Sequence, residues 1–336
     1  VANELAKAGF LVASTDMPFH GSRAYCQQNS DCSADGSSGG ANGVCTPIPG
    51  TATQGDAVPP GTCTTGTLRP NASLSTVASS NYFISANFFR TRDGIRRDLL
   101  DQSALVLALA RPPAPYPQPA ANPLASRLAA DGIAVDITRV YFLGGSLGAI
   151  TGTSIAATNP RVSRAVLNVG GGTAVDIMTN SPTFQPMIEV LFASLIPGFT
   201  FAKVTPGNPA FDPVIAAEYL KLVSVAKWVL DPADPVNYAA SVSTKLPSPL
   251  SAALGPLASA TTDAWGMVAN GDTVIPNPFS YELFGVGAIP FTVYVSASAP
   301  GGAVPHGFLG TSVTAQDDAA AFLKSLTNPG AQVILP

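Results

Sequence analysis

Charge is what this chain has least of: Asp, Glu, Lys and Arg make up 11% of its 336 residues, against roughly 25% in an average soluble domain. The net charge is -4, and no run or face collects Lys and Arg. A phosphate backbone would find nothing to grip, so nucleic acid is not expected as a partner. Long hydrophobic runs are lacking too. No stretch reaches the ~18 uninterrupted apolar residues of a transmembrane helix. The four cysteines include no close Cys-x-x-Cys pair and have no His among them, which argues against a zinc site. Histidine is scarce, His20 and His306 being the only two, and this narrows any choice of general base. What the chain does have is apolar side chain, at 46%. That is enough to bury a large core, and the length suits one α/β domain carrying insertions.

The sequence opens inside a helical pattern. Val1, Leu5, Ala6 and Ala8, followed by Gly9, read as the body and stop of a helix whose start is expected upstream of Val1, so the chain reads as truncated at its N-terminus. Phe10 to Thr15 is a short apolar run ending at Asp16 and suits a buried parallel strand. Residues 23–79, rich in Gly, Ser, Thr and Pro, read as an insertion. They hold Cys26, Cys32, Cys45 and Cys63, an even count in a segment with little apolar core, which is the pattern of a disulfide framework in an exported protein. Four cysteines allow three connectivities, and the spacing does not choose among them. Asp31-x-Ser33-x-Asp35-Gly36-Ser37 looks like the first half of a calcium loop. Asn42 stands where the closing acid belongs, so a plain polar loop is expected and no metal.

Further on, strands and helices alternate. Ile95, Leu99, Val106 and Ala110 share one helix face, and the helix ends at Arg111 before a Pro-rich stretch. Strands are expected at Val140–Leu143, Ala165–Val169, Trp265–Ala269 and Phe291–Val295, with a helix running through about Ala157 and a last one from Thr314 to Leu326. Residues 173–245 interrupt the alternation and read as a helical cap. The pattern predicts a mostly parallel sheet with helices on both faces, in one domain spanning 1–336.

Gly144-Gly145-Ser146-Leu147-Gly148 falls between a strand and a helix of small residues. That strand–turn–helix context is what a Gly-x-Ser-x-Gly nucleophile turn needs. The strained turn lifts the Ser146 hydroxyl above the sheet. Small neighbours at Gly144, Gly145 and Gly148 let strand and helix approach, and the Leu147 N–H at the helix start faces a developing oxyanion. A serine hydroxyl is a weak nucleophile and requires a base. In chains built around this turn the order is Ser, acid, His, which selects His306 over His20. The acid is then Asp272, delivered by the strand ending at Ala269 and turned by Gly271. Asp263 precedes that strand and lies at the wrong end of it. Asp231 and Asp234 sit in a Pro-rich loop suited to capping or turning.

Asp16-x-Pro18-x-His20-Gly21-x-Arg23, the Gly144–Gly148 turn, Gly271-Asp272-x-Val274-x-Pro276 and His306-Gly307-Phe308 together resemble the α/β-hydrolase superfamily. Within it they look like the bacterial extracellular lipases of the virulence-factor group. Phe88 to Arg96 and Asp231 to Ala239 are further segments similar to that group. The resemblance covers most of 1–25 and 82–330 and leaves out the Cys-rich insertion. It implies an α/β-hydrolase fold and a secreted or cell-surface serine hydrolase of bacterial type. It also implies a Ser146–His306–Asp272 triad that needs no cofactor, and a second oxyanion donor lying upstream of Val1. By the same similarity the Phe19–Gly21 backbone belongs to a later loop and is a weaker oxyanion candidate.

Triad chemistry specifies acyl transfer and nothing narrower. The nearly uncharged patch Val190 to Ala202 in the cap points to an acyl chain or a transient lipid-surface contact, with Val190, Leu191, Phe192, Leu195 and Phe199 as the candidate contacts, although plain packing of the cap explains the same residues. The expected substrate is a lipidic or other carboxylic ester. Two rivals stand beside it: an extracellular polyester depolymerase, and a non-catalytic binding protein on a hydrolase fold.

Overall fold

In a computed structural model of the chain, residues 1–15, 17–18, 26, 28–35, 40–47, 61–68, 88–109, 123–136 and 138–336 are described. The chain forms two compact units. The first comprises Val1–Thr15, Leu99–Phe184 and Asp231–Pro336, and the second Asp16–Asp98 and Gln185–Leu230.

The first unit is built on five strands: β1 (Val140–Gly145), β2 (Val162–Asn168), β3 (Asp263–Ala269), β4 (Phe291–Ser296) and β5 (Gln332–Leu335). They pair in chain order and every pair is parallel. The helices that position them are α1 (Ala2–Lys7), α2 (Leu147–Thr158), α3 (Ala174–Asn180), α4 (Asn277–Val286) and α5 (Val313–Ser325). Period-2 alternation along the strands divides the core between two faces. Val166, Trp265, Met267, Ala269 and Tyr294 pack toward α1 and α5. Ala165, Leu167, Ala264 and Val268 pack toward α2 and α4. Helices thus cover both faces, and a parallel sheet buried on both sides accounts for near-continuous apolar strands such as Trp265–Ala269. Helix α2 is buried on nearly every side, from Ala149 through Ala157, which is why its sequence shows no polar stripe. Helix α5 is capped by Ser312, whose side chain accepts the Ala315 N–H at 3.2 Å.

The structure departs from the sequence reading at three places in this unit. Phe10–Thr15 is no strand: none of its residues joins a ladder among the described residues, and Leu11 and Val12 are exposed. Phe10 instead packs edge-on against Tyr141 at 6.1 Å between ring centres. An apolar run becomes a strand only where a neighbour takes up its backbone groups. Helix α4, which covers one sheet face, and the edge strand β5 are not among the elements that the sequence pattern predicts.

In the second unit the Cys-rich segment has more order than a loop. Val44–Pro47 pairs antiparallel with Gly61–Thr65, and Cys32–Ser33 with Thr67–Leu68. Disulfides join Cys26 to Cys45 and Cys32 to Cys63. Cys26 and Cys32 are fully buried, so the cross-links stand where a larger domain would place apolar side chains. The helix Phe88–Leu109 begins in this unit, and the helices Gln185–Leu195, Phe201–Val204 and Pro213–Leu230 belong to it. The latter three enclose an aromatic cluster of Phe192, Phe199, Phe201 and Tyr219, with ring centres 5.3 to 6.4 Å apart.

Candidate active site

Strand β1 runs directly into Ser146, whose backbone (φ 55°, ψ -119°) lies outside the regions open to ordinary residues. Such a conformation costs about 1–3 kcal/mol and persists only where its surroundings enforce it. Here they do. The Ser146 N–H donates to Asn168 O at 2.9 Å, and the Ser146 carbonyl accepts from Ala149 and Ile150 at 2.8 and 3.0 Å, opening α2. A side chain at position 144 would stand 2.1 Å from Gly148 O, so only glycine lets the strand pass this close to the helix. The steric account is narrower than the sequence motif implies. Among the described residues a Cβ on Gly148 meets nothing within 4 Å. The N–H of Leu147, in the first turn of α2, has no helical carbonyl to bond.

Asp272 follows β3 in a tight turn. Its Oδ1 accepts the N–H groups of Val274 and Ile275 at 2.8 and 3.1 Å. Its Oδ2 meets His306 Nδ1 at 2.6 Å. The Asp272 side chain is 2% exposed and that of His306 19%. A carboxylate only accepts, so in the neutral imidazole the Nδ1 carries the proton and the Nε2 keeps its lone pair. That Nε2 is buried and hydrogen-bonds to nothing among the described residues, Ser146 Oγ included. Ser146, Asp272 and His306 all follow the carboxyl ends of strands in one sheet, where sites of open parallel sheets gather.

The turn at Asp272 is held from its flanks. Asn277 Oδ1 accepts the Gly271 N–H at 2.9 Å, and Asn277 Nδ2 donates to Ala269 O at 2.7 Å. Ser181 Oγ donates to Thr273 O at 2.9 Å. None of these contacts is marked by a sequence pattern, beyond the place of Asn277 just after Pro276. A small apolar cluster of Ile150, Ile177 and Ile275, with Leu147 packed against it, ties the start of α2 to the Asp272 turn.

The other acids are otherwise engaged. Asp234 accepts N–H groups from Thr173, Ala174 and Val236 at 3.0, 2.7 and 3.1 Å, capping α3 from a distant loop. Burial holds its carboxyl above the usual range. Asp231 accepts from Asn237 Nδ2 at 3.0 Å, and Asp263 is exposed at the opposite end of β3. Of the acyl-chain candidates, all in the second unit, Leu191, Phe192 and Phe199 are buried and Phe192 and Phe199 belong to the aromatic cluster, while Val190 and Leu195 are exposed. Phe19, His20 and Gly21 lie outside the described residues. The closely grouped sulfurs of Cys26, Cys32 and Cys45 belong to disulfides and offer no thiolate to a metal.

No family model and no curated protein matches the chain. Solved structures similar to it include acetyl xylan esterase 1 from Thermoanaerobacterium sp. JW/SL YS485, at 15% identity and a TM-score of 0.42 over 81% of this chain and 66% of that one. An acetyl xylan esterase from Paenibacillus sp. R4 is 14% identical at a TM-score of 0.37, over 60% and 50% of the two chains. The Pyrococcus horikoshii acylaminoacyl peptidase is 12% identical at 0.33, over 61% and 26%. The chain therefore spans between about a quarter and two thirds of the length of these proteins. With five parallel strands in chain order, helices on both faces and a strained serine turn between β1 and α2, the first unit has the α/β-hydrolase fold.

Proposed function

We propose that this protein is a serine hydrolase of carboxylic esters in which Ser146 is the nucleophile, His306 the base and Asp272 the orienting acid. The observation that carries the reading is the Asp272–His306 bond at 2.6 Å, which leaves as the basic atom a buried Nε2 that has no hydrogen-bond partner among the described residues. Substrate binding brings Ser146 Oγ and that nitrogen into hydrogen-bond reach, a contact that is commonly open in unliganded sites. Nε2 takes the hydroxyl proton as Oγ bonds to the ester carbonyl carbon, and the oxyanion accepts from the Leu147 N–H. Asp272 stabilises the imidazolium without taking its proton. Collapse of the intermediate expels the alcohol, protonated by Nε2. Water, deprotonated by the same nitrogen, then releases the acid and restores Ser146.

Within that class the proposed substrate carries a lipidic acyl chain. Support comes from Val190 and Leu195, exposed apolar residues on one helix of the second unit. The two disulfides support assembly in an oxidising, extracytoplasmic compartment, and none of the described helices is long and apolar enough to cross a membrane. Labelling with a fluorophosphonate probe tests the chemistry: the wild type is labelled and Ser146→Ala is not. A wild type that resists the probe overturns it. A series of p-nitrophenyl esters tests the substrate class, and activity confined to acetate and butyrate removes the lipidic part alone.

A further inference from the structure

We infer that Asn270 is a positioning residue which sets the acid turn in register with the base loop; the inference rests on the Ser146–Asp272–His306 reading above. Asp272 and His306 stand on separate loops, after β3 and after β4. Nothing in their own 2.6 Å contact determines where the two loops lie relative to each other. Asn270 does. It follows β3 directly, and its Nδ2 donates to Gly301 O at 2.9 Å and to Gly302 O at 3.1 Å. Its carbonyl accepts the Val304 N–H at 2.9 Å, and its own N–H donates to Tyr294 O on β4 at 3.0 Å. One residue, two positions before the acid, thus holds β4 and three points of the segment that leads into His306.

The match is specific to asparagine. Gly301 and Gly302 have φ of 63° and 69°, a left-handed pair that turns two successive carbonyls toward the same partner. A primary amide supplies two N–H donors from one nitrogen, one for each carbonyl. Serine has a single donor and aspartate has none. Glutamine would carry the amide one methylene too far. Position 302 also leaves no room for a side chain, since a Cβ there would lie 2.4 Å from Val295 Cγ1. The carbonyl pair and the amide therefore form one bracket across the site.

Asn270→Ala removes both bonds donated by the side chain and leaves Ser146, Asp272 and His306 unsubstituted. Turnover of p-nitrophenyl butyrate by the full chain is measured per site titrated with the fluorophosphonate probe. We expect kcat per titrated site to fall about 10- to 100-fold, the effect of a displacement on the order of 1 Å in a reacting constellation, with KM little changed. The low-field proton resonance of the His306 Nδ1–H, bonded to Asp272, is expected to weaken or disappear. Asn270→Ser, with one donor, falls between the two. A role in folding alone would lower the number of titrated sites and leave both kcat per site and the resonance as in the wild type, and that result overturns the inference. Should Asn270→Ala not fold, wild-type values in Asn270→Ser do the same. The resonance does not depend on turnover. A wild type that resists the probe therefore refutes the hydrolase reading, whereas an unchanged resonance in the variant refutes the role of Asn270.

Discussion

Asp272 reaches His306 with one carboxylate oxygen, Oδ2 to Nδ1 at 2.6 Å, while its other oxygen is occupied by the N–H groups of Val274 and Ile275. The two functions are divided between the two atoms. Oδ1 fixes the turn and Oδ2 fixes the imidazole.

That division makes Asp272→Asn an informative change. The amide oxygen keeps the bonds to Val274 and Ile275, so the turn stays folded. The amide nitrogen is left facing Nδ1, which must then accept, and the proton moves to Nε2, where it blocks uptake of the Ser146 proton. We expect kcat for a short ester to fall by about 10⁴-fold, as for the corresponding change in a serine protease triad, with a melting temperature close to wild type. Activity within an order of magnitude of wild type would show that Asp272 does not orient the base.

Gly144 and Gly148 are matched in the sequence motif and unequal in space. Gly144→Ala drives a methyl into the Gly148 carbonyl at 2.1 Å, and a backbone clash of this kind is expected to cost about 3 kcal/mol or more. Gly148→Ala meets nothing within 4 Å among the described residues and lies in a helix, where alanine is favoured over glycine by about 0.5–1 kcal/mol. Urea midpoints at constant m-value separate the two. Equal destabilisation would mean that the strand–helix approach is not what demands glycine at 144.

Lys245 donates to the carbonyls of Ala156 and Asn159 near the end of α2, at 2.9 and 2.8 Å, and to Thr262 Oγ1 at 2.6 Å. Burial pushes its ammonium down to about 8 from 10.5. Between those values the unfolded chain holds a proton that the folded chain has released, so stability gains with rising pH across the window. Below it both states are protonated and the burial penalty is fully felt. In Lys245→Met this gain disappears. Urea unfolding of both proteins on either side of the window should show wild type improving relative to the variant as pH rises; a difference that is flat or shrinks would exclude the assignment.

Much of the architecture was readable from local pattern. The alternation of apolar strands with helices anticipated the parallel sheet and its two covered faces, because burial on both sides leaves a continuous apolar run. Small residues after Ser146 marked a helix pressed against its strand. The helical cap residues were legible only as apolar. Whether each packs or is exposed depends on which face its helix presents, and Phe192 and Phe199 prove to be cluster residues while Val190 does not.

From the amino-acid order alone follow the turn at Ser146, the histidine downstream of it and an aspartate between them at a strand end, since each is written in a few adjacent residues. Contacts between distant residues had to be seen in three dimensions. Only there does Cys26 choose Cys45 over its neighbours, Asp234 become committed to capping α3, and Phe10–Thr15 stay outside every ladder among the described residues. Asn270 belongs to the same group. Its sequence context is an ordinary Asn-Gly turn, and its role arises from two carbonyls some thirty residues away, a proximity that the packing of β3 against β4 creates.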